Sequence, residues 1–439
     1  MTKEFEERVP FNAVFSLKRG LNITRANYQK DGIPCLSYGD VHSRYLGFVD
    51  PEVHPLPKVS ESYIQTSSQC LLKAGDFVFA DTSEDYEGVG NCTCVLNVSQ
   101  GLFAGYHTTV ASPDKKAICS RYYGYYFLSD DFRNQIRKEV AGIKVFSITN
   151  SILNATRLLS PGLKTQEKIA TFLDKKLTYV DGLIVQKREV LRKLSEYRQS
   201  LITKAVTKGL NPNVEMKDGG LKWLEKIPKT RTLTSLKHLT SKIGSGKTPL
   251  GGSEVYCDIG TKIVRSQNVH SGRVNLQEAR CIPDEIAREM DWCSLKNEDV
   301  LINITGASIG RAGVVCANQP NAVVNQHVCI LRLKDKKTSP QFLSFYLNSK
   351  VGQEQISYVQ NGASRESLTF EQLGNFKIPC PSIEEQKAIA KYLNDKVETI
   401  DFVSLKIKKT IDLLTEYRSS LISAAVTGKL SLEEISHEP

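Results

Sequence analysis

"EYRQSLITKAVT" (Glu196–Thr207) returns 220 residues later as "EYRSSLISAAVT" (Glu416–Thr427). Laid on each other without a gap, 165–210 and 385–430 share 17 identities in 46 positions, among them Gln166/Gln386, Ile169/Ile389, Ala170/Ala390, Leu173/Leu393 and Asp181/Asp401. Repetition of this kind is a fold-level signal. Its period is far too long for a solenoid, so the chain reads as a duplicated half-protein.

Within each copy the apolar residues step by four and three. The first stripe is Leu173, Leu177, Val180, Ile184, Lys187, Leu191, Leu194, Arg198, Leu201, Ala205. The second is Leu393, Val397, Ile400, Ser404, Ile407, Ile411, Leu414, Arg418, Leu421, Ala425. That spacing is the seam of a coiled coil. Pro161 and Pro381 punctuate the two starts, as suits a helix entry. An antiparallel pairing about a pseudo-two-fold sets Leu173 against Ala425, Leu191 against Ile407, Leu201 against Val397 and Leu421 against Leu177. The same register puts Arg198 beside Asp401 and Arg418 beside Asp181, so each seam arginine has a carboxylate.

A chain of 439 residues exceeds one comfortable core and predicts two or more domains. Its 40% hydrophobic and 24% charged residues are those of an ordinary globular protein. The net charge of +10 suits a polyanionic partner. The charged start "MTKEFEERVP" lacks the apolar stretch of a signal peptide, and no run approaches a membrane span, so a cytoplasmic protein is expected. The 11 cysteines include no CxxC pair and read as free thiols in a reducing compartment, with no metal site expected.

Ahead of each helix lies a globular region of mixed texture. Strands are expected in "DFVFA", "CTCVLNV" and "YHTTVA" of the first head, and in "KIVRS", "DVLINIT", "AGVVCA" and "HVCILRL" of the second. Short helices are expected in "DFRNQIRKEV" and "PQFLSFYLNS". The heads correspond loosely, "KAGDFVFA" to "KNEDVLIN" and His107 to His327, while their loops diverge. The division is head one at 1–160, helix at 161–207, a Gly/Pro/Asn-rich linker at 208–220, head two at 221–380 and helix at 381–430.

Catalytic signatures are missing. "KIGSGKTPLGG" (242–252) has Ser241 where a phosphate-binding loop needs its first glycine, and Pro249 where the helix should begin. A basic loop meeting DNA phosphate through Lys247 and Thr248 is the better reading. No dinucleotide fingerprint, GxSxG elbow or HExxH helix appears. What remains is loop content able to read base edges and anchor phosphates. In head one this comprises Arg25, Tyr28, Lys30, Arg44, Tyr45, Tyr106, His107 and Lys144. In head two it comprises Lys247, Thr248, Arg265, Gln267, Asn268, His270, Arg273, Arg311, Asn325, Gln326, His327 and Arg365.

Two divergent heads, two helices opening near "TQEKIATFLDKKLTYVD" and "EEQKAIAKYLNDKVETID", the "EYR-S-LI--AVT" endings and "WLEKIP" (223–228) together resemble the specificity subunit of type I restriction–modification systems. The resemblance implies an α+β fold with two mixed α/β target-recognition domains, joined by two long antiparallel coiled-coil helices with pseudo-two-fold symmetry. It implies a non-catalytic subunit that reads a bipartite, asymmetric site in double-stranded DNA, with the helices fixing the gap. Expected partners are two modification methyltransferase subunits and restriction motor-nuclease subunits. S-adenosylmethionine, ATP and Mg are then expected on those partners, with none on this chain. A stand-alone DNA-binding regulator or scaffold with the same heads is the alternative, and an enzyme built on "GSGKT" a third.

Overall fold

The structure is a computed structural model describing Phe5, 7–114, 118–142, 145–316, 320–360 and 367–436. Two helices dominate it, Leu163–Lys208 and Ile383–Val426. They carry the repeated phrase, and their starts fall just after Pro161 and Pro381. None of the 20 seam positions named above is exposed, whereas most residues between them are. Two compact units divide the helices between them: one runs to Arg188 and resumes at Lys408, the other is Glu189–Ile407.

In the first unit Ile169, Leu173 and Leu177 share a core with Leu421, Ile422 and Ala425. Arg418 Nε donates to Asp181 Oδ1 at 2.9 Å. In the second unit Leu393 and Val397 share a core with Ile202, Ala205 and Val206, and Arg198 Nε donates to Asp401 Oδ1 at 3.1 Å. Both arginine pairs therefore follow the antiparallel register that the sequence predicts. The carboxylates are half-exposed, so each pair contributes at most about 1 kcal/mol and acts chiefly on register.

Each unit builds the same head. In the first, strands Phe15–Arg19, Thr108–Pro113, Phe77–Ala80, Cys92–Val95 and Gly47–Val49 lie side by side in that order, the last pairing parallel. In the second the order is Thr240–Ser245, Val328–Leu333, Val300–Asn303, Ala312–Val314 and Gly272–Val274, again with the last pairing parallel, and Val269–His270 adds an edge. A smaller three-stranded group recurs too. Ile33–Leu36 lies between Lys58–Val59 and Phe103–Ala104; Thr261–Val264 lies between Arg280–Ile282 and Ala322–Val324.

Strand alternation explains why these sheets are buried on both faces. Phe77 and Phe79 point into the core shared with the helices, while Val78 and Ala80 point into a second cluster with Leu36 and Val49. In the other unit Val300 and Ile302 take the helix side and Leu301 the opposite one. Head one fills its helix side with rings: Phe11, Phe15, Phe127 and Phe132 are fully buried, the last two 4.5 Å apart.

The shared glutamine explains how each helix start is held. Gln166 is buried; its Nε2 donates to Pro161 O at 2.7 Å and its Oε1 accepts from Cys119 N at 2.9 Å. Gln386 repeats this with Pro381 O, Lys337 O and Ser339 N. The helix ends are held differently. Val206 and Val426 are repeat partners, yet Val206 O accepts from buried Arg231 Nη1 at 2.7 Å and Val426 O from Tyr122 Oη at 3.1 Å. Arg231 also joins Glu385, at the other helix's start, at 2.5 Å. Helix C-terminal carbonyls lack intrahelical partners, so buried ones require such donors. Residues 216–220 of the expected linker belong to a strand, Met216–Leu221, which forms a hairpin with Leu224–Pro228.

Two stability outcomes follow from these contacts. Arg198→Asp and Asp401→Arg each lower stability by about 1 kcal/mol, and the double exchange recovers at least half of the summed loss in thermal unfolding. Gln386→Leu strands two buried backbone groups, Pro381 O and Ser339 N, and frees Lys337 O, for a cost of about 2–4 kcal/mol measured by denaturant titration.

Candidate nucleic-acid interface

Strands Ile33–Leu36 and Thr261–Val264 hold equivalent places in the two heads, and each is followed by a side-chain-capped turn. Ser37 N donates to Asp40 Oδ2 at 3.2 Å, and Arg265 N to Asn268 Oδ1 at 3.0 Å. A backbone bond closes the neighbouring loop in both: Gly105 N to Leu36 O at 2.7 Å, and Asn325 N to Val264 O at 3.1 Å. At Gly105 a Cβ would stand 1.9 Å from Ser37 Oγ, so a larger residue there requires Ser37 to move. Each head has an open hollow beside these strand ends.

The hollow in head one measures about 640 Å³ and takes Arg25, Tyr28, Ser37, Asp40, Arg44 and Tyr106 into its wall. Arg25 Nε donates to Tyr106 Oη at 3.1 Å, and Tyr28 Oη to Ser37 Oγ at 2.8 Å. Burial pushes the Tyr28 phenol pKa up and keeps it a neutral donor. Burial also raises the Asp40 carboxyl above its usual range, against the opposing effect of Arg44 at 3.3 Å. The wall thus presents two guanidiniums and two phenols.

Head two's hollow measures about 520 Å³ and is walled by Arg265, Gln267, Thr305, Arg311, Asn325 and His327, among others. His327 Nδ1 is 2.6 Å from Thr305 Oγ1, and its Nε2 is 2.9 Å from the Gln326 amide nitrogen. The Arg265 guanidinium lies over the Tyr256 ring at 5.2 Å. Buried Arg265 Nε, Asn268 Nδ2, Asn303 Oδ1 and Gln326 Oε1 have no hydrogen-bond partner within the described residues. Of these four residues only Arg265 lines the hollow, so its guanidinium joins the polar wall while the other three lie behind it.

Sequence-selected residues therefore separate into three groups. Arg25, Tyr28, Arg44 and Tyr106 meet in the first hollow, and Arg265, Gln267, Arg311, Asn325 and His327 in the second. Others have local occupations. Tyr45 Oη donates to Pro55 O at 2.8 Å, with its ring 4.8 Å from His54. His107 adopts φ 53° and sits 3.2 Å from Asp81. Lys247 lies 3.5 Å from Glu289 and 5.5 Å from the Trp292 ring, and Thr248 beside it is exposed. Asn268 is buried and spends its oxygen as a cap. Gln326 is half-buried. His270 and Arg273 pair across the edge strands, away from the hollow wall. Lys144 and Arg365 lie outside the described residues. Sequence reasoning passed over Ser37, Asp40, Thr305 and Ser308; the Asp and Asn three residues beyond Ser37 and Arg265 were the available signal, since side chains there fold turns.

The family model for the type I restriction modification DNA specificity domain matches 7–192 and 243–413. The chain belongs to this family. It is 26% identical over 325 residues to the type I restriction enzyme EcoBI specificity subunit of Escherichia coli, covering 72% of this chain and 67% of that one. The StySPI specificity subunit of Salmonella potsdam is 21% identical across 98% of this chain and 90% of its own length. Among solved structures, a chain described under "Structural basis underlying complex assembly and conformational transition of the type I R-M system" superposes with a TM-score of 0.71 at 16% identity, covering 97% and 98% of the two chains. This is a type I specificity subunit, a non-catalytic, DNA-recognising component of a restriction–modification complex. No described helix is long and apolar enough to cross a membrane.

The hollows make opposite predictions for neighbouring residues. Arg25→Ala and Arg265→Ala each weaken binding to a specific duplex about tenfold, with unfolding temperature unchanged, in fluorescence anisotropy. Asn268→Ala instead lowers stability by about 1 kcal/mol through loss of the turn cap.

Proposed function

We propose that each head reads one half of a bipartite, asymmetric DNA site and that the helices set the unread gap between the halves. The observation carrying this reading is the pair of hollows at equivalent strand ends with different walls. One offers arginines and tyrosines; the other offers arginines with Gln267, Asn325 and His327. Equal architecture with unequal donors and acceptors suits two different short sequences, because Arg, Gln and Asn distinguish bases in the major groove through paired hydrogen bonds.

The helices also dock two modification methyltransferase subunits in this proposal. Apolar residues stand exposed outside the seam at repeated positions: Val185 and Leu405, Tyr197 and Tyr417, with 52–67% of each side chain in solvent. Exposed apolar groups of this kind mark protein contacts, and their duplication fits two copies of one partner. S-adenosylmethionine belongs to those partners, and ATP and Mg to the motor-nuclease subunits that complete the restriction complex.

Single-molecule methylation mapping of a host expressing this chain with its partners tests the reading. The expected result is a motif of two short half-sites separated by a fixed gap, together with co-purification of two methyltransferase subunits per chain. A continuous methylated motif would overturn it.

A further inference from the structure

Among the described residues the three most exposed large apolar side chains are Ile259 at 90%, Leu250 at 80% and Val53 at 73%. All three stand in head loops. Ile259 and Leu250 share the 246–260 loop, which joins strand Thr240–Ser245 to strand Thr261–Val264. That loop is tied to the wall of the second hollow at two points. Gly246 N donates to Asn325 O at 3.2 Å, and the Tyr256 ring lies 5.2 Å from the Arg265 guanidinium. The corresponding loop of head one, 20–32, supplies Arg25 and Tyr28 to the first hollow.

A lone exposed leucine on a flexible loop is ordinary. Leu250 differs because it stands at the corner of a hydrogen-bonded turn. Gly252 N donates to Pro249 O at 3.0 Å, and Gly251 has φ +92°, the pattern of a tight turn with Leu250 at its first corner. Pro249 is buried and anchors the turn. A Cβ on Gly251 would stand 2.7 Å from Val255, so the following segment packs closely under the corner. The turn therefore directs the side chain into solvent, four residues beyond a hydrogen bond to the hollow wall.

We propose that Leu250 is a specificity-determining contact that reads the C5-methyl group of a thymine at the edge of the half-site met by the second hollow. The inference rests on the DNA reading of that hollow given above. Its chemistry is complementary to the wall. Arg265, Gln267, Arg311, Asn325 and His327 address hydrogen-bonding atoms, whereas the thymine methyl has none and is recognised only by apolar contact. Removing one such methyl contact corresponds to roughly a three- to five-fold loss of affinity.

The test uses the full chain in its complex with the co-purifying subunits. Duplexes carrying the mapped site, with every pair adjoining the second half-site made A·T, are scanned by replacing each thymine with uracil in and beside that half-site. For the wild type, one replacement weakens binding about three- to five-fold; in Leu250→Ala the same replacement is neutral, and Leu250→Met restores the difference. The proposal is overturned if no uracil weakens wild-type binding, or if the weakening is the same in Leu250→Ala. Gln267→Ala separates the two levels. It lowers affinity wherever the hollow reads DNA, so a neutral Gln267→Ala removes the DNA reading itself, while an affected Gln267→Ala with no leucine-dependent uracil effect removes only the role of Leu250.

Discussion

Burial of one helix's opening turns against the other's closing turns is the constraint on which everything else in each unit depends. Leu173 and Leu177 share a core with Leu421 and Ala425, and Leu393 and Val397 with Ile202 and Ala205. Those same cores contain the inner faces of the head sheets, Phe77 and Phe79 in one unit and Val300 and Ile302 in the other. The helix pair is therefore one wall of each head. Its apolar stripe cannot slide without opening the sheet core, and the Arg198–Asp401 and Arg418–Asp181 contacts penalise the wrong register.

Duplication was legible because the seam tolerates little change. Leucine, isoleucine, valine and alanine positions recur with period 3.5, and the paired Arg and Asp must move together. Strands were legible where both faces are buried, as in "DFVFA" and "DVLINIT", whose continuous apolar runs stand out from polar loops. The strand inside 216–220 was not, since "MKDGGL" holds two glycines and two charges and gains its structure only by pairing with "LEKIP". Nor could the sequence show that Val206 and Val426, identical in the repeat, depend on Arg231 in one unit and Tyr122 in the other.

The candidate site was half legible for a physical reason. Side chains that read bases and side chains that fold turns are drawn from the same few types. Asn268 and Gln267 are adjacent and chemically close, yet one is buried as a turn cap and the other is exposed on the hollow wall. Lys247 belongs to a basic loop but is directed to Glu289 and Trp292. Only the strand-end geometry, with its close approach at Gly105 and its capped turns, selects the residues that converge. It also lets the two walls differ without loss of fold, because they are loop side chains carried on an unchanged strand order.

In the proposed function the heads read DNA independently from equivalent hollows. Binding-site selection from a randomised duplex pool, run in parallel with the wild-type complex and with the Gln267→Ala, Arg311→Ala double variant, tests it most directly. Relaxed preference in one half-site, with the other half-site and the gap unchanged, is the predicted result. Relaxation of both halves together, or of neither, would contradict the account.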